Sequence, residues 1–183
     1  MCIIIINKSN ILPYESFIGN NEINPDGIGI FYAENDKLIV KKFAPNPNLK
    51  EVYNYYKEIR SETENTMVLH FRKRSKGEIS IDGVHPYYIN DNLVMAHNGT
   101  FKDLGNDDIS DTKMFAENLK KLPSNFLTDE NLLTMIKKQA EDNRLVFMDN
   151  KGNITKIDEK KMGEEYEGDW YSKSKYCKYL EKF

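Results

Sequence analysis

Cysteine is scarce in this sequence. The chain has only two, Cys2 and Cys177, which lie near opposite ends of its 183 residues. They form no CxxC pair, so the sequence gives no sign of a zinc knuckle or of a disulfide framework. We do not expect a bridge between the two thiols in a reducing compartment.

Long apolar runs and an excess of positive charge are also lacking. Residues 3–6 are all isoleucine, but this run is too short for a signal peptide, and no basic residue precedes it. No other run approaches the ~20 apolar residues of a membrane span. Lys plus Arg (26) against Asp plus Glu (29) gives a formal net charge of -3, which argues against nucleic-acid binding. We expect a cytoplasmic protein with no membrane partner.

The length and composition fit one globular domain. A typical domain has ~100 to 200 residues. The content of 39% hydrophobic and 11% aromatic residues describes an ordinary folded protein. The sequence shows no internal repeat, low-complexity stretch or linker. We therefore predict a single domain over residues 1–183.

Apolar spacing and turn residues predict a strand-rich fold. Residues 3–6 form a β-branched run typical of a strand buried on both faces, and we expect a polar loop between this strand and residue 27. Further strands are predicted over residues 27–33, 38–43, 67–72, 87–89, 93–97, 145–148 and 154–157, and around Trp170 and Tyr171. Helices are predicted over residues 48–59, after a cap at Ser110 or Asp111, and over residues 129–141. Because the strands come as hairpins and the helices are grouped, we predict an α+β fold with antiparallel sheets.

The three histidines, His70, His85 and His97, fall in one window near the ends of predicted strands. Loops at strand ends often carry functional residues. A metal site would need the imidazoles to converge with a cysteine or a carboxylate, but their spacing matches no zinc signature. We expect no metal. The histidines either belong to another kind of site or are hydrogen-bonded at strand ends without a role.

The position of Cys2 suggests a nucleophile. Cys2 directly follows Met1, so removal of Met1 would place a thiol and a free α-amine on one residue. An α-amine has a reference pKa of ~7.7 to 8.0, so it can exchange a proton with the neighbouring thiol without a histidine. The structural alternative is a small buried hydrophobe at the start of a strand.

Several short motifs follow one another in the order of a known family. They are Cys2, the segment from His70 through Arg72 to Gly77, His85-Pro86, His97-Asn98-Gly99 and Ser110-Asp111-Thr112. Together they resemble the class II glutamine amidotransferase domain of the N-terminal nucleophile (Ntn) hydrolases. Asp26-Gly27-Ile28-Gly29 is similar to a segment in one branch of that family. The resemblance implies a four-layer αββα sandwich of two antiparallel sheets, and a glutaminase that needs no cofactor.

The resemblance also implies roles in the chemistry for three residues. The Cys2 thiolate would attack the carboxamide carbon of glutamine, while its own α-amine shuttles the proton to departing ammonia. The Asn98 side-chain amide and the Gly99 backbone N–H would stabilise the tetrahedral oxyanion. The alternative for Asn98 and Gly99 is a tight turn after the preceding strand.

Four more residues are expected to bind the substrate by resemblance. Arg72 would pair with the α-carboxylate of glutamine, because a guanidinium offers a bidentate fork, and Asp111 would pair with the α-ammonium. Ser75 and His85 match positions that line the pocket, in supporting roles. The alternatives are a solvated Arg72 in a basic run and a helix-capping Asp111.

Departures from the family pattern leave other functions open. Lys73 and Arg74 stand where an aromatic and a small residue are common, and Lys113 stands where glutamate is usual. These changes make the pocket rim more basic. The alternatives are an Ntn-type hydrolase of a different amide, and a non-catalytic binding or inhibitory protein on the same scaffold.

The implied ammonia product raises the question of a partner. Family members usually join the glutaminase to a synthase domain, but this sequence has neither a GxxxxGK[ST] phosphate loop nor a dinucleotide GxGxxG motif. Either a separate synthase subunit accepts the ammonia or the protein is a plain glutaminase, and we favour the separate subunit. A candidate docking surface is the aromatic tail, which contains Trp170, Tyr171, Tyr176 and Tyr179. The alternative is that this segment forms a final strand.

Overall fold

The computed structural model describes residues 2–8 and 10–173 and is built around two β-sheets. The strands of the first sheet are β1 (Ile3–Asn7), β2 (Ile28–Glu34), β3 (Lys37–Phe43), β4 (Met67–Phe71), β9 (Glu164–Tyr166) and β10 (Asp169–Tyr171). Their spatial order is β3-β2-β4-β1-β10-β9. Every pair of neighbours in this sheet is antiparallel.

The second sheet has four strands in chain order: β5 (Tyr87–Asn90), β6 (Leu93–Asn98), β7 (Arg144–Asp149) and β8 (Ile154–Ile157). Its pairs are antiparallel as well. The α-helices are α1 (Tyr14–Ile23), α2 (Leu49–Glu62), α3 (Asp111–Leu119) and α4 (Glu130–Gln139). Within the described residues, none of these helices is both long and apolar enough to cross a membrane.

Strand β1 lies inside the first sheet and is buried on both faces. It pairs with β4 on one edge and with β10 on the other. Because successive side chains of a strand point to opposite faces, Ile3 and Ile5 pack on the helix side, while Ile4 and Ile6 pack between the sheets. The predicted doubly buried strand is confirmed.

The helices cover the outer faces of the two sheets. Helices α1 and α2 contribute Phe17 and Tyr56 to the apolar cluster outside the first sheet. Helices α3 and α4 contribute Phe115 and Ile136 to the cluster outside the second sheet. A third cluster fills the space between the sheets. The arrangement is the predicted four-layer αββα sandwich of the α+β class.

The segment between β1 and β2 corrects one prediction. The sequence predicts a polar loop there, whereas the structure has helix α1. Apolar periodicity does not reveal this helix, because three of its four buried residues are polar: Ser16, Asn20 and Asn21. The Asn20 side chain donates a hydrogen bond back to Ser16 O within the helix at 2.9 Å. The short strand β9 is also missing from the sequence prediction.

The end of the described chain forms strand β10 and corrects a second prediction. Trp170 and Tyr171 are each only 2% exposed, so these two side chains are not available as a docking surface. The alternative, a final strand, is confirmed for them, since β10 pairs with β1 through Ile5 and Ile6. Tyr176, Tyr179 and Cys177 lie outside the described residues.

Replacement of Trp170 tests this placement. Trp170 packs between the sheets, and the Lys156 ammonium lies 4.7 Å from its ring centre. We expect Trp170→Ala to lower the free energy of unfolding by about 3 to 5 kcal/mol, because the lost side chain leaves a cavity. Urea unfolding followed by circular dichroism measures this. Met135→Ala is the control: Met135 is 67% exposed, so its effect should stay within about 0.5 kcal/mol. Equal effects of the two changes would contradict the buried position of Trp170.

Candidate active site

Cys2 is held at the start of β1 by the chain that leaves β4. The antiparallel register pairs Ile3 with Phe71, so Cys2 lies beside the residues that follow β4. Its thiol donates to Lys73 O and accepts the Lys73 backbone N–H, both at 3.4 Å. The thiol is therefore fixed between two backbone groups.

The surroundings of Cys2 keep its thiol protonated. Burial raises the pKa of Cys2, and the negative charge of Asp111 acts in the same direction. The Lys73 hydrogen bond and the positive charge of Arg72 oppose this without reversing it. A nucleophilic role for Cys2 therefore needs a base that removes the proton.

The loop before β2 clamps the segment that carries Arg72. Asp26 N donates to Arg72 O at 3.0 Å, and Arg72 N donates to Gly27 O at 2.9 Å. The Asp26 carboxylate also accepts the Arg74 backbone N–H at 2.7 Å. Gly29 allows a further close approach, because a Cβ there would lie 1.8 Å from His85 O. The Asp-Gly-x-Gly segment thus positions the chain around the candidate site.

The Arg72 guanidinium is buried and only partly paired. Its Nη2 donates to Glu78 O at 2.8 Å, while its Nη1 has no hydrogen-bond partner among the described residues. Gly83 makes room for the group, since a Cβ there would lie 2.6 Å from Arg72 Cζ. An unpaired buried guanidinium nitrogen is suited to a carboxylate ligand.

Arg72 lines a cavity of about 90 Å³. The complete lining is Arg72, Glu78, Ser80, Asp82, Gly83, Tyr87, Asp108, Ser110 and Lys113. Larger cavities lie elsewhere: one of about 600 Å³ at the end of α2, one of about 230 Å³ beside α1 and β10, and one of about 210 Å³ beside the end of α4. None of these three is lined by a residue expected from the sequence to act on the substrate. Because Arg72 lines the smaller cavity, that cavity is the candidate for the carboxylate end of a substrate.

Asp111 is the first residue of α3 but does not cap it. Ser110 does, because its hydroxyl accepts the Lys113 backbone N–H at 3.1 Å. The buried Asp111 carboxylate instead accepts the Phe101 backbone N–H at 2.7 Å. The capping alternative for Asp111 is therefore wrong, and its carboxylate is left as a buried negative charge near Cys2.

Asn98 ends β6 and connects the two sheets. Its side-chain amide donates to Ser172 Oγ at 2.7 Å. Ser172 Oγ also accepts the Ile4 backbone N–H at 2.8 Å, and Ser172 N donates to Ile4 O at 2.9 Å. Asn98 Oδ1 is buried without a hydrogen-bond partner among the described residues. Asn98 is thus tied to the strand that begins next to Cys2.

Gly99 follows in a conformation that favours glycine. Its φ is +153°, and a Cβ there would lie 2.0 Å from Asn143 Oδ1. That oxygen is also 2.9 Å from Nε2 of His97. Both the backbone conformation and the lack of room for a Cβ therefore favour glycine at this position.

The three histidines form a buried stack, with His85 between His70 and His97. The ring centres of His70 and His85 are 3.9 Å apart, and those of His85 and His97 are 6.4 Å apart. Burial lowers the pKa of His70 to about 3 and that of His97 to about 4, and it also lowers the pKa of His85. The rings are neutral at neutral pH and too weakly basic to activate the thiol. No cluster of metal-ligating side chains occurs in the part of the chain that the structure describes.

The structure brings together most of the residues singled out from the sequence. Arg72 and Asp111 both act electrostatically on Cys2, and Asn98 is linked to β1 through Ser172. Ser75 is exposed on the loop after β4, and His85 is buried in the histidine stack. Of all the residues predicted to form the site, only Arg72 lines the cavity of about 90 Å³; Ser75 and His85 do not, and neither do Cys2, Asn98, Gly99 and Asp111.

Sequence reasoning misses several residues that hold the site together. Thr112 Oγ1 lies 2.7 Å from Nδ1 of His97, and Asn143 holds the opposite side of that ring. Gly83 makes room for Arg72, and Ser172 contacts Asn98. Only two of these residues could have been found from the sequence: Thr112 belongs to the Ser-Asp-Thr motif, and Gly83 belongs to an Asp-Gly pair. Asn143 and Ser172 carry no such sequence signal.

A family model described as class II glutamine amidotransferases matches residues 11–116. This range is more than half of the chain and includes Arg72, Asn98, Gly99 and Asp111, whereas Cys2 precedes it. The comparison with curated proteins gives no match.

Two solved structures are similar to the chain. The first is glutamine phosphoribosylpyrophosphate amidotransferase from B. subtilis, complexed with ADP and GMP: TM-score 0.55, 16% identity, covering 93% of this chain and 41% of that chain. The second is a glutamine aminotransferase class-II domain protein from Silicibacter pomeroyi: TM-score 0.43, 10% identity, covering 82% of this chain and 73% of that chain. At 16% identity the first similarity shows a common fold. The chain spans 41% of the length of that amidotransferase chain.

The space around Gly99 can be tested against a second glycine. Gly168 also has a positive φ, +88°, but a Cβ there would meet nothing within 4 Å. We expect Gly168→Ala to cost about 1 to 2 kcal/mol of unfolding free energy through backbone strain alone. Gly99→Ala should cost a further ~1 to 3 kcal/mol, because Asn143 must be displaced as well. Urea unfolding measures both, and equal costs would contradict the described packing of Gly99.

Proposed function

Because this chain belongs to the class II glutamine amidotransferases, we propose that it hydrolyses the side-chain amide of glutamine to glutamate and ammonia. Cys2 is the proposed nucleophile. The observation that carries the proposal is the position of the Cys2 thiol, which is fixed against Lys73 and whose pKa is lowered by the charge of Arg72 and raised by that of Asp111. Glutamine carries one α-carboxylate and one α-ammonium, so these two charges match its two ends.

The proposed base is the α-amine of Cys2. Burial keeps the thiol protonated, and His70 and His97 are too weakly basic to deprotonate it. An α-amine has a reference pKa of ~7.7 to 8.0, which suits proton transfer near neutral pH. The mechanism therefore requires cleavage of the peptide bond that joins Met1 to Cys2.

The reaction then proceeds in two stages. The thiolate attacks the carboxamide carbon, and the tetrahedral intermediate collapses with loss of ammonia, which takes its proton from the α-ammonium of Cys2. This leaves a thioester between Cys2 and the glutamyl group. A water molecule, deprotonated by the same α-amine, attacks the thioester carbon and releases glutamate and the thiol.

Asn98 and Gly99 are the proposed oxyanion donors. Asn98 is buried and connected through Ser172 to Ile4, two residues after Cys2. Gly99 has the positive φ that lets its backbone approach closely. Removal of one such donor typically costs ~2.7 to 4 kcal/mol of the activation barrier.

The remaining predicted residues are assigned to binding. Arg72 is proposed to pair with the α-carboxylate through its unpaired Nη1, and Asp111 with the α-ammonium. Ser75, on the exposed loop, and His85, in the histidine stack, are proposed in supporting roles. No cofactor takes part in this scheme.

The lining of the cavity bears on the choice of substrate. Lys113 lines it beside Arg72, but so do the acidic residues Glu78, Asp82 and Asp108. The positive charge that would favour a more acidic amide is therefore offset. The charges of this cavity therefore do not support the first alternative, an Ntn-type hydrolase of a different amide. The second alternative, a non-catalytic binding protein, is distinguished from an enzyme by the Cys2 experiment below.

We also propose that a separate synthase subunit accepts the ammonia, in the cytoplasm. Ammonia is protonated at neutral pH, so release into solution would supply little nucleophile. The buried positions of Trp170 and Tyr171 exclude them as the docking surface for that subunit.

The first experiment compares two forms of the amino terminus. One preparation has Cys2 as its first residue, verified by mass spectrometry, and the other retains Met1. We expect glutamate release from glutamine to be at least about 100-fold faster in the first, because only it has the free base. Cys2→Ala without Met1 is the control and should release none. Equal rates in both forms, or release unchanged by Cys2→Ala, would contradict the mechanism, and no release in any form favours the binding protein.

The second experiment tests recognition of the α-carboxylate. Arg72→Lys should raise KM for glutamine by about 10- to 100-fold, the equivalent of ~1.5 to 3 kcal/mol for a charge-assisted hydrogen bond, because a lysine ammonium lacks the fixed planar N–H group that Arg72 presents at Nη1. Arg74→Lys is the matched control, since Arg74 is exposed and its side chain bonds Gly77 O. Glutaminamide, which lacks the carboxylate, should be hydrolysed equally well by wild type and Arg72→Lys. A lower rate on glutaminamide in the variant would assign Arg72 a different role.

A further inference from the structure

Ser172 occupies a position between the nucleophile strand and the proposed oxyanion donor. It is fully buried, and it follows β10 directly. Its backbone N–H and its side-chain oxygen both bond Ile4, and its side-chain oxygen also contacts Asn98 at 2.7 Å. No other described side chain hydrogen-bonds Asn98 Nδ2.

The hydrogen bonds at Ser172 leave two groups unmatched. A serine hydroxyl can accept two hydrogen bonds and donate one. In the structure it accepts from Ile4 N–H and from the Asn98 amide, and its own hydrogen has no assigned acceptor. At the same time Asn98 Oδ1 is buried with no partner among the described residues. One free donor and one free acceptor therefore lie on adjacent side chains.

A half-turn of the Asn98 amide pairs the free donor of Ser172 with the free acceptor of Asn98. The oxygen and nitrogen of an asparagine amide have nearly the same shape and exchange places in such a turn. The Ser172 hydroxyl then donates to Asn98 Oδ1 while it still accepts from Ile4 N–H. The Asn98 NH2 group takes the place of the unpaired oxygen. An oxyanion needs a donor, whereas an amide oxygen in this place would repel it.

We infer that Ser172 is a positioning residue that orients the Asn98 amide, so that its NH2 group is available to the tetrahedral intermediate. The inference rests on the proposed function for its catalytic meaning, but the orientation itself is a property of the resting protein. Ile4 contributes by holding the Ser172 oxygen through its N–H, which leaves the hydroxyl hydrogen free for Asn98. The hydrogen bonds of Ser172 Oγ to Ile4 N–H and to the Asn98 amide also fix the separation between Asn98 and β1, which begins next to Cys2.

Kinetics test the role of Ser172. Ser172→Ala should lower kcat by about 10- to 100-fold, the loss expected when a catalytic group is misplaced, and should leave KM within about twofold, since Arg72 and Asp111 are untouched. In an Asn98→Ala background the same change should cost nothing further, because its target is already absent. Additive losses, or an unchanged kcat in Ser172→Ala, would overturn the inference.

A control separates positioning from the docking of β10. Asp169, at the other end of β10, bonds Asn7 at 2.7 Å and Lys8 N–H at 2.8 Å. Asp169→Asn should lower stability with little effect on kcat. If kcat falls equally in Asp169→Asn and Ser172→Ala, Ser172 acts only through the strand. Should Ser172→Ala fail to fold, Ser172→Cys keeps the volume with a weaker donor and should give an intermediate kcat, and a wild-type kcat there would overturn the inference.

A measurement on the resting protein is independent of turnover. Nuclear Overhauser effects are recorded from the Asn98 carboxamide protons, assigned by their absence in Asn98→Ala. We expect weak effects to the Ser172 β-protons, because the NH2 group points away from Ser172. Strong effects would place the nitrogen on Ser172 and overturn the inference even in an active enzyme. Weak effects in a protein without glutaminase turnover would uphold the orientation and reject the proposed function alone.

Discussion

Strand β1 is hydrogen-bonded along both of its edges, and the geometry around Cys2 depends on this double pairing. On one edge the register pairs Ile3 with Phe71, so Arg72 and Lys73 emerge beside the thiol. On the other edge Ile5 pairs with Tyr171, so Ser172 reaches Ile4 and Asn98. A slip of one residue on either edge would turn every side chain of that strand to the opposite face. The four isoleucines do not fix this register by themselves, because a slip would exchange one isoleucine for another on both faces. The side-chain bonds from β10 and the residue after it do, since Asp169 accepts from Asn7 and from Lys8 N–H, and Ser172 Oγ accepts from Ile4 N–H.

This packing supports a site that is itself poorly satisfied. Arg72 Nη1 and one side-chain amide atom of Asn98 are buried without partners among the described residues, and each such atom typically costs about 1 to 3 kcal/mol. Asp111 adds a buried negative charge, and Cys2 is held as a neutral thiol. Groups of this kind persist where the surrounding structure fixes them, and they are typical of sites that wait for a ligand. The three apolar clusters hold the surrounding structure in place.

Much of the layer structure could be predicted from the sequence because its signals are local. Alternation and turn residues identify the hairpins, and the three- and four-residue spacing of Val52, Tyr56 and Ile59 identifies α2. Helix α1 could not be found in this way, since it buries Ser16, Asn20 and Asn21 where a pattern search expects apolar residues. The tail was ambiguous for a related reason: aromatic residues suit both an interface and a core, and only the pairing of β10 with β1 decides between them.

The site was predictable to the extent that its residues lie in short motifs. Arg72, Asn98 and Asp111 each belong to one, but no motif shows that Ser110 takes over the helix cap and frees Asp111. The histidines illustrate the opposite case. Their spacing suggests a possible site, whereas their stacking and lowered pKa values show neutral rings in the interior. Such roles depend on contacts that the sequence does not display.

Contacts between segments that are far apart in the sequence complete the candidate site. The hydrogen bond between Ile4 and Ser172 spans 168 residues, and that between Asn98 and Ser172 spans 74. Both Cys2 and Ser172 lie outside the range that the family model matches, one before it and one after it. The matched range therefore contains the proposed binding residues and the proposed oxyanion donors. The proposed nucleophile Cys2 lies directly before β1, and Ser172, which links β1 to Asn98, lies directly after β10. Because the entropy of loop closure grows only slowly with length, joining such distant segments adds little cost beyond that of a shorter connection. The site is therefore complete only when β10 has paired with β1, so its assembly depends on the formation of the first sheet.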